Sequence, residues 1–249
     1  MILAALLLLA QQPTPTSLLP GDVVLPGVTA TPEPSHDQPH LQFLSVIVID
    51  PGHGGDDAGV KNAATTEKDL TLAIAKAIES KIEAQTGAHV LLTRSGDVRV
   101  EDADRAALAN ESRAGLFVSI HVNSSPSPAA HGFQVYYHDA YALEARAGDV
   151  KAVPWNLAQR GVESDSAKLA ETLRASLAAK LTLADRGVRR MPLATLEGVT
   201  CPAAMIEIGF LSNADEALAL STDAVQDAIA EAVADAVVKI DAELAPNTP

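Results

Sequence analysis

The chain reads as an α/β protein: a single domain with a twisted, mostly parallel (mixed) sheet of about six strands and helices on both faces. Three observations predict this. From Leu44 onward, short β-branched runs alternate with amphipathic helical stretches, the pattern that layers helices on a sheet around one core. The 249 residues are 47% hydrophobic and 20% charged, enough for one good core, or one core plus a tail. No internal repeat shows, and no remaining stretch is long enough to name a second domain.

The elements follow in order. Residues 1–10 carry an apolar run, "ILAALLLLA" from Ile2 to Ala10. It is too short to span a bilayer and matches the hydrophobic region of a secretory signal, without a basic leader. Residues 11–43 form a Pro-rich linker: Gln11 to His40 holds seven prolines and little periodicity. His36 and His40 lie in it and read as solvated residues of a tether. One folded domain is expected over residues 44–245, with 246–249 as a tail. Strands are expected at Ser45–Asp50, His89–Thr93, Leu116–His121, Gly132–His138, Arg190–Thr195 and Ala203–Ile208, all short and mostly apolar. Helices are expected at Glu67–Gln85, Asp102–Arg113, Ser166–Leu181 and Asp223–Leu244. In the third, Leu169, Leu173, Leu177 and Leu181 form one apolar stripe to lay on the sheet.

Charge and cysteine content exclude several classes. With 32 acidic against 18 basic residues and a net charge of −14, the chain lacks the clustered basic face that nucleic acid requires. One cysteine, Cys201, cannot form an internal disulfide and rules out cysteine-rich zinc ribbons. Any metal must therefore use histidines and carboxylates.

The chemistry gathers at strand ends. "VIVIDPGHGG", Val46 to Gly55, is an apolar strand ending in Asp50-Pro51-Gly52. His53 falls just beyond its carboxyl end, where open α/β sheets gather ligands, and the flanking glycines allow a sharp turn and a close approach. His121 stands in the same relation to "LFVSIHVNSS". Between them, Thr66 and Asp69 have capping-box spacing at a helix start, so Glu67 occupies the first turn and faces back toward the strand ends. Taken singly, a turn histidine and a first-turn glutamate have ordinary structural explanations. Two histidines and a carboxylate from separate elements at one sheet edge make a catalytic zinc arrangement with one position open. In "CPAAMIEIGFLSN", Glu207 lies inside an otherwise apolar strand, where an ionisable group is costly unless paired or used.

At this point the residues carry a family resemblance. The segments "VIVIDPGHGGDDAGV", "TEKDLTLAIAKAI", "VLLTRSGD", "DRAALANESRAGLFVSIHVNSS", "GFQVYYH", "RGVRRMPLATLE" and "PAAMIEIGFLSNADE" occur in order between Val46 and about Asp241. Over that stretch the chain resembles the zinc-dependent N-acetylmuramoyl-L-alanine amidases of bacterial cell-wall turnover. The resemblance implies Zn2+ held by His53, Glu67 and His121, with Glu207 as the catalytic carboxylate that takes a proton from water and returns it to the departing L-alanine nitrogen. It implies peptidoglycan as substrate and, with the N-terminal segment, export to the periplasm or cell envelope. It leaves room for a protein activator whose identity is unknown. Arg94, Arg105 and Asn123 match the family too, as a positioning arginine, a surface ion pair and a loop amide. The stretch between His138 and Ser166, where some relatives carry an inhibitory helix, is short for a long plug, although Trp155 and Leu157 are placed to pack near the site.

Two other classes stay open on sequence. One is a different zinc hydrolase of wall material, a deacetylase or a stem peptidase. The other is a non-catalytic wall-binding or activator module, against which the retention of all four residues weighs.

Overall fold

The chain divides into two units, Met1–His36 and Asp37–Pro249. A computed structural model describes residues 44–139 and 155–244, all within the second; the signal and linker readings fall outside the described residues. Six strands, β1 (Val46–Pro51), β2 (His89–Leu92), β3 (Leu116–Asn123), β4 (Phe133–His138), β5 (Asp185–Met191) and β6 (Ala203–Phe210), form one sheet in the order β2-β1-β3-β6-β4-β5. The β1/β2, β1/β3, β3/β6 and β4/β5 pairs are parallel and β4/β6 is antiparallel, so the sheet is mostly parallel and mixed.

The central strands read as continuous apolar runs because both faces are covered. Ile47, Val48 and Ile49 have no exposure. On one face pack helices α1 (Glu67–Thr86), α3 (Glu163–Lys180) and α5 (Asp223–Leu244), around Ile74, Leu173 and Val233. On the other, α2 (Asp102–Glu111) and a short 3-10 turn at Ala194–Leu196 cover Val48, Phe117 and Ala203. Truncating one of the large core side chains, Ile49 for example, to alanine would cost about 2–5 kcal/mol.

Helix α1 begins where its capping residue predicts: the Thr66 side chain accepts from the Asp69 amide, and Gly87 ends the helix at φ 70 with its amide bonded to the Glu83 carbonyl. Its Leu70, Ile74, Ile78 and Ile82 lie on one buried face. Lys180 on α3 bridges Glu231 and Asp235 of α5. The Asp241 carboxylate accepts from the Leu44 amide at 2.8 Å, fastening the start of the described chain to α5.

The last sheet position corrects one expectation. The edge strand is Asp185–Met191, not Arg190–Thr195. Pro192 follows it, with fixed φ and no amide hydrogen to donate. The apolar residues beyond serve the second core: Leu196 is fully buried there and Leu193 packs against it. Helix α3 starts three residues earlier than expected, and a further short helix, α4 (Ala214–Leu220), follows β6, capped by the Asn213 side chain. Residues 140–154 and the side chains of Trp155 and Leu157 lie outside the described residues.

Candidate metal centre and active site

The turn after β1 is held by two buried arginines. Asp50, with no exposure, accepts from Arg105, Thr93 and Ser119. Arg105 also donates to the carbonyls of Pro51 and His53, each at 3.0 Å, and to that of Val100 at 3.1 Å. Arg94 donates to the carbonyls of Pro51, Gly52 and Lys68 at 3.0, 2.8 and 2.8 Å. Arg105 is thus not the surface ion pair expected from sequence: it is 4% exposed, and its partner lies 55 residues away. His53 sits in the left-handed region at φ 63, an uncommon conformation for a residue with a Cβ. These arginines supply the bonds that hold it there.

The three residues expected to bind metal come together. His53 Nε2 is 3.0 Å and His121 Nδ1 is 3.1 Å from the same Glu67 oxygen, Oε1. The two imidazoles meet edge to face with centroids 5.0 Å apart. One ligand atom from each of the three residues lies within 4.8 Å of the others, a spacing that could hold a metal ion. Glu67 reaches the site from the first residue of α1, where the helix dipole favours an anion. Its Oε2 accepts from the Val60 amide at 2.9 Å and its Oε1 from the Val122 amide at 3.0 Å. The register shift in β3 between His121 and Asn123 re-aims the strand end at this point. Asn123 closes β3, its side chain accepting from the Ser124 amide.

Asp57 has no role assigned from sequence, yet its Oδ2 lies 2.8 Å from His53 Nδ1. A carboxylate on the far ring nitrogen fixes the tautomer and orientation that a metal-binding imidazole needs. The signal that points to it is an acidic residue four positions after the histidine, in the same glycine-rich turn.

Electrostatics tie the group together. Burial works against the Glu67 carboxylate, but hydrogen bonds from His121 and His53 outweigh it and hold Glu67 well below the usual carboxylate range. The bond to Glu67 pushes His53 up to about 9, against the effect of burial, so a cation binding there would displace a proton. Glu207 on β6 stands opposite His121 in register. Burial pushes it up to about 7, the charge of Glu67 acting in the same direction and His121 and His53 in the opposite one. Its Oε2 and the Nε2 of His121 are both buried without a hydrogen-bond partner among the described residues. Two orphaned polar atoms beside a His-Glu-His group fit a site built for a cation and a reacting water. A cavity of 240 Å³ opens beside the histidines, lined by Gly52, His53, Arg99, His121 and Thr195 among others.

Relatives place the domain. The chain is 32% identical over 181 residues to the N-acetylmuramoyl-L-alanine amidase LytC of Bacillus subtilis, covering 73% of this chain and 32% of that protein. It is 32% identical over 199 residues to the germination-specific N-acetylmuramoyl-L-alanine amidase of the same organism, covering 74% of each. Thus it spans about a third of the first relative and about three quarters of the second. Among solved structures, the catalytic domain of the amidase CwlV from Bacillus (Paenibacillus) polymyxa var. colistinus matches at TM-score 0.67 and 32% identity, over 79% of this chain and 97% of that one. The CwlD amidase from Clostridioides difficile, solved in complex with the GerS lipoprotein, matches at TM-score 0.65 and 28% identity, over 79% and 98%. A family model described as N-acetylmuramoyl-L-alanine amidase matches residues 47–239, from β1 into α5, and the chain belongs to that family.

Proposed function

We propose that the protein hydrolyses the amide bond between N-acetylmuramic acid and L-alanine in peptidoglycan, with zinc held by His53, Glu67 and His121 and with Glu207 as the general base and acid. The observation that carries this reading is the convergence of the two imidazoles on one oxygen of Glu67, with Oε2 of Glu207, buried and without a hydrogen-bond partner among the described residues, on the adjoining strand. A donor set of two imidazole nitrogens and one carboxylate suits zinc.

Held by His53, Glu67 and His121, zinc would supply Lewis acidity, which lowers the pKa of a water to roughly 7 and polarises a carbonyl. The chain's own residues do the rest. Asp57 accepts the Nδ1 proton of His53 and leaves Nε2 to face the cation. The main-chain donors of Val60 and Val122 hold the Glu67 carboxylate in place. Oε2 of Glu207 takes a proton from the attacking water and returns it to the nitrogen of L-alanine as the amide breaks. A carboxyl poised near neutrality can do both, since neither protonation state is far out of reach.

Digestion of purified peptidoglycan followed by mass spectrometry tests the reaction. Stem peptides beginning with free L-alanine, formed with zinc and not after chelation, support the reading. Released acetate would make the protein a deacetylase, and cleavage inside the stem would make it a peptidase. The apolar run Ile2–Ala10 supports export to the periplasm or cell envelope, which fusion of residues 1–43 to a reporter tests. The lipoprotein complex of the CwlD relative supports a search for an activating protein partner, by affinity capture followed by assay of activation.

A further inference from the structure

Strand β5 concentrates positive charge on an otherwise acidic chain: Arg186, Arg189 and Arg190 fall within seven residues. Two of the three are engaged. Arg190 pairs with Asp139 and Glu163, and Arg186 donates to the His131 carbonyl and lies over the Phe210 ring at 5.1 Å. Arg189 is exposed, and its side chain makes no hydrogen bond or ion pair among the described residues.

Alternation fixes which way Arg189 faces. Val188 packs against the core formed with α1, α3 and α5, so Arg189 projects from the opposite face. It is in register with Tyr136 on β4, which is in register with Met205 on β6. Tyr136 and Met205 both belong to the core of that opposite face. Glu207, two residues beyond Met205, shares it. Two strand spacings, about 10 Å, therefore separate Arg189 from the strand that carries Glu207. Tyr136 lies between them, and its phenol feels both charges.

An extended peptide rises about 3.3 Å per residue. Glu207 is also two residues along β6 from that register, so a stem whose first amide bond lies beside Glu207 and that runs across β4 passes Arg189 within about its first four residues. Peptide stems carry carboxylates, and on a protein of net charge −14 an unpaired cation on the same face as Glu207 stabilises such a group locally against the overall repulsion. We propose that Arg189 is a specificity residue that receives a free carboxylate of the stem peptide. This rests on the amidase reading above. Arginine suits the role because its fork binds a carboxylate bidentately, which lysine cannot do.

The test uses the full chain and two soluble muropeptides that differ only in whether the first stem carboxylate after L-alanine is free or amidated. The native protein should favour the free acid by about tenfold in kcat/KM. Arg189→Gln should abolish that preference through a higher KM for the acid, with kcat and the melting temperature unchanged; Arg189→Lys should retain part of it. A native protein indifferent to amidation overturns the proposal. So does an Arg189→Gln variant that keeps the preference or loses rate equally on both compounds, since Arg189 would then serve only to guard an exposed strand edge against pairing. Absence of stem release from either compound by the native protein would overturn the amidase reading instead.

Discussion

Nη2 of Arg105 donates to the carbonyl oxygen of His53 at 3.0 Å, so a guanidinium beneath the sheet end fixes the backbone of a residue whose ring faces Glu67. The same guanidinium is the buried partner of Asp50. One side chain thus couples core stability to the geometry of the site, and the two effects can be separated.

Arg105→Met is expected to destabilise the fold by about 3–5 kcal/mol, because it strands the Asp50 charge in the interior. Adding Asp50→Asn removes that charge and should recover much of the loss. The double variant still lacks the bond to His53, so its metal affinity should stay about 10–100-fold weaker. Denaturant unfolding checks the first effect and competition with a chromogenic chelator the second. Native affinity in a folded double variant would break the link.

Gly52 leaves room for an imidazole. A Cβ built there would collide with Cε1 of His121 and lie 2.5 Å from its Nε2. Gly52 is not among the glycines of positive φ, so alanine strains no backbone dihedral and acts by contact alone. Gly52→Ala should cost about 1–3 kcal/mol by overpacking and displace His121, lowering zinc content in elemental analysis. Unchanged zinc would show that the ring can yield without losing its aim.

Glu207→Gln keeps the side-chain shape and removes the basic carboxylate. Turnover should fall by a factor on the order of 10² to 10⁴, while zinc content holds. Stability should hold or rise, since a buried group that resists ionisation is replaced by a neutral one. Turnover, zinc and melting temperature on the one variant decide it: native turnover removes Glu207 from the reaction, and lost zinc makes it a ligand.

Cys201 offers a probe of opening. The thiol is buried, and burial pushes it up to about 12. At pH 8 its thiolate fraction is then about one in ten thousand, against roughly a quarter for an ordinary thiol of pKa about 8.5. Iodoacetamide should label the unfolded chain at least about a thousandfold faster than the native one, as mass spectrometry would show. Rapid native labelling would reveal local opening at the start of β6.

Much of the fold and of the site is legible in the sequence because the residues concerned obey local rules. Thr66 and Asp69 announce the start of α1, and the unbroken apolar run before Asp50 announces a buried strand with a loop at its carboxyl end. Those two features are enough to bring Glu67 and His53 to the same edge of the sheet. Strand β5 escapes such a reading because its own residues, Asp185 to Met191, are mostly exposed and charged; an edge strand with one wet face leaves little hydrophobic period to read. Leu193 and Leu196 are apolar for a different reason, as fillers of the second core. The burial of Arg105 is invisible in sequence because three of its five acceptors are main-chain carbonyls, those of Pro51, His53 and Val100, and main-chain acceptors leave no mark on residue identity.

Both oxygens of Glu67 rest on main-chain donors, Val60 and Val122, that exist whatever else occupies the centre. A shape set by the backbone survives emptying. If the protein works as proposed above, it should lose and regain activity with the supply of that ion, without refolding.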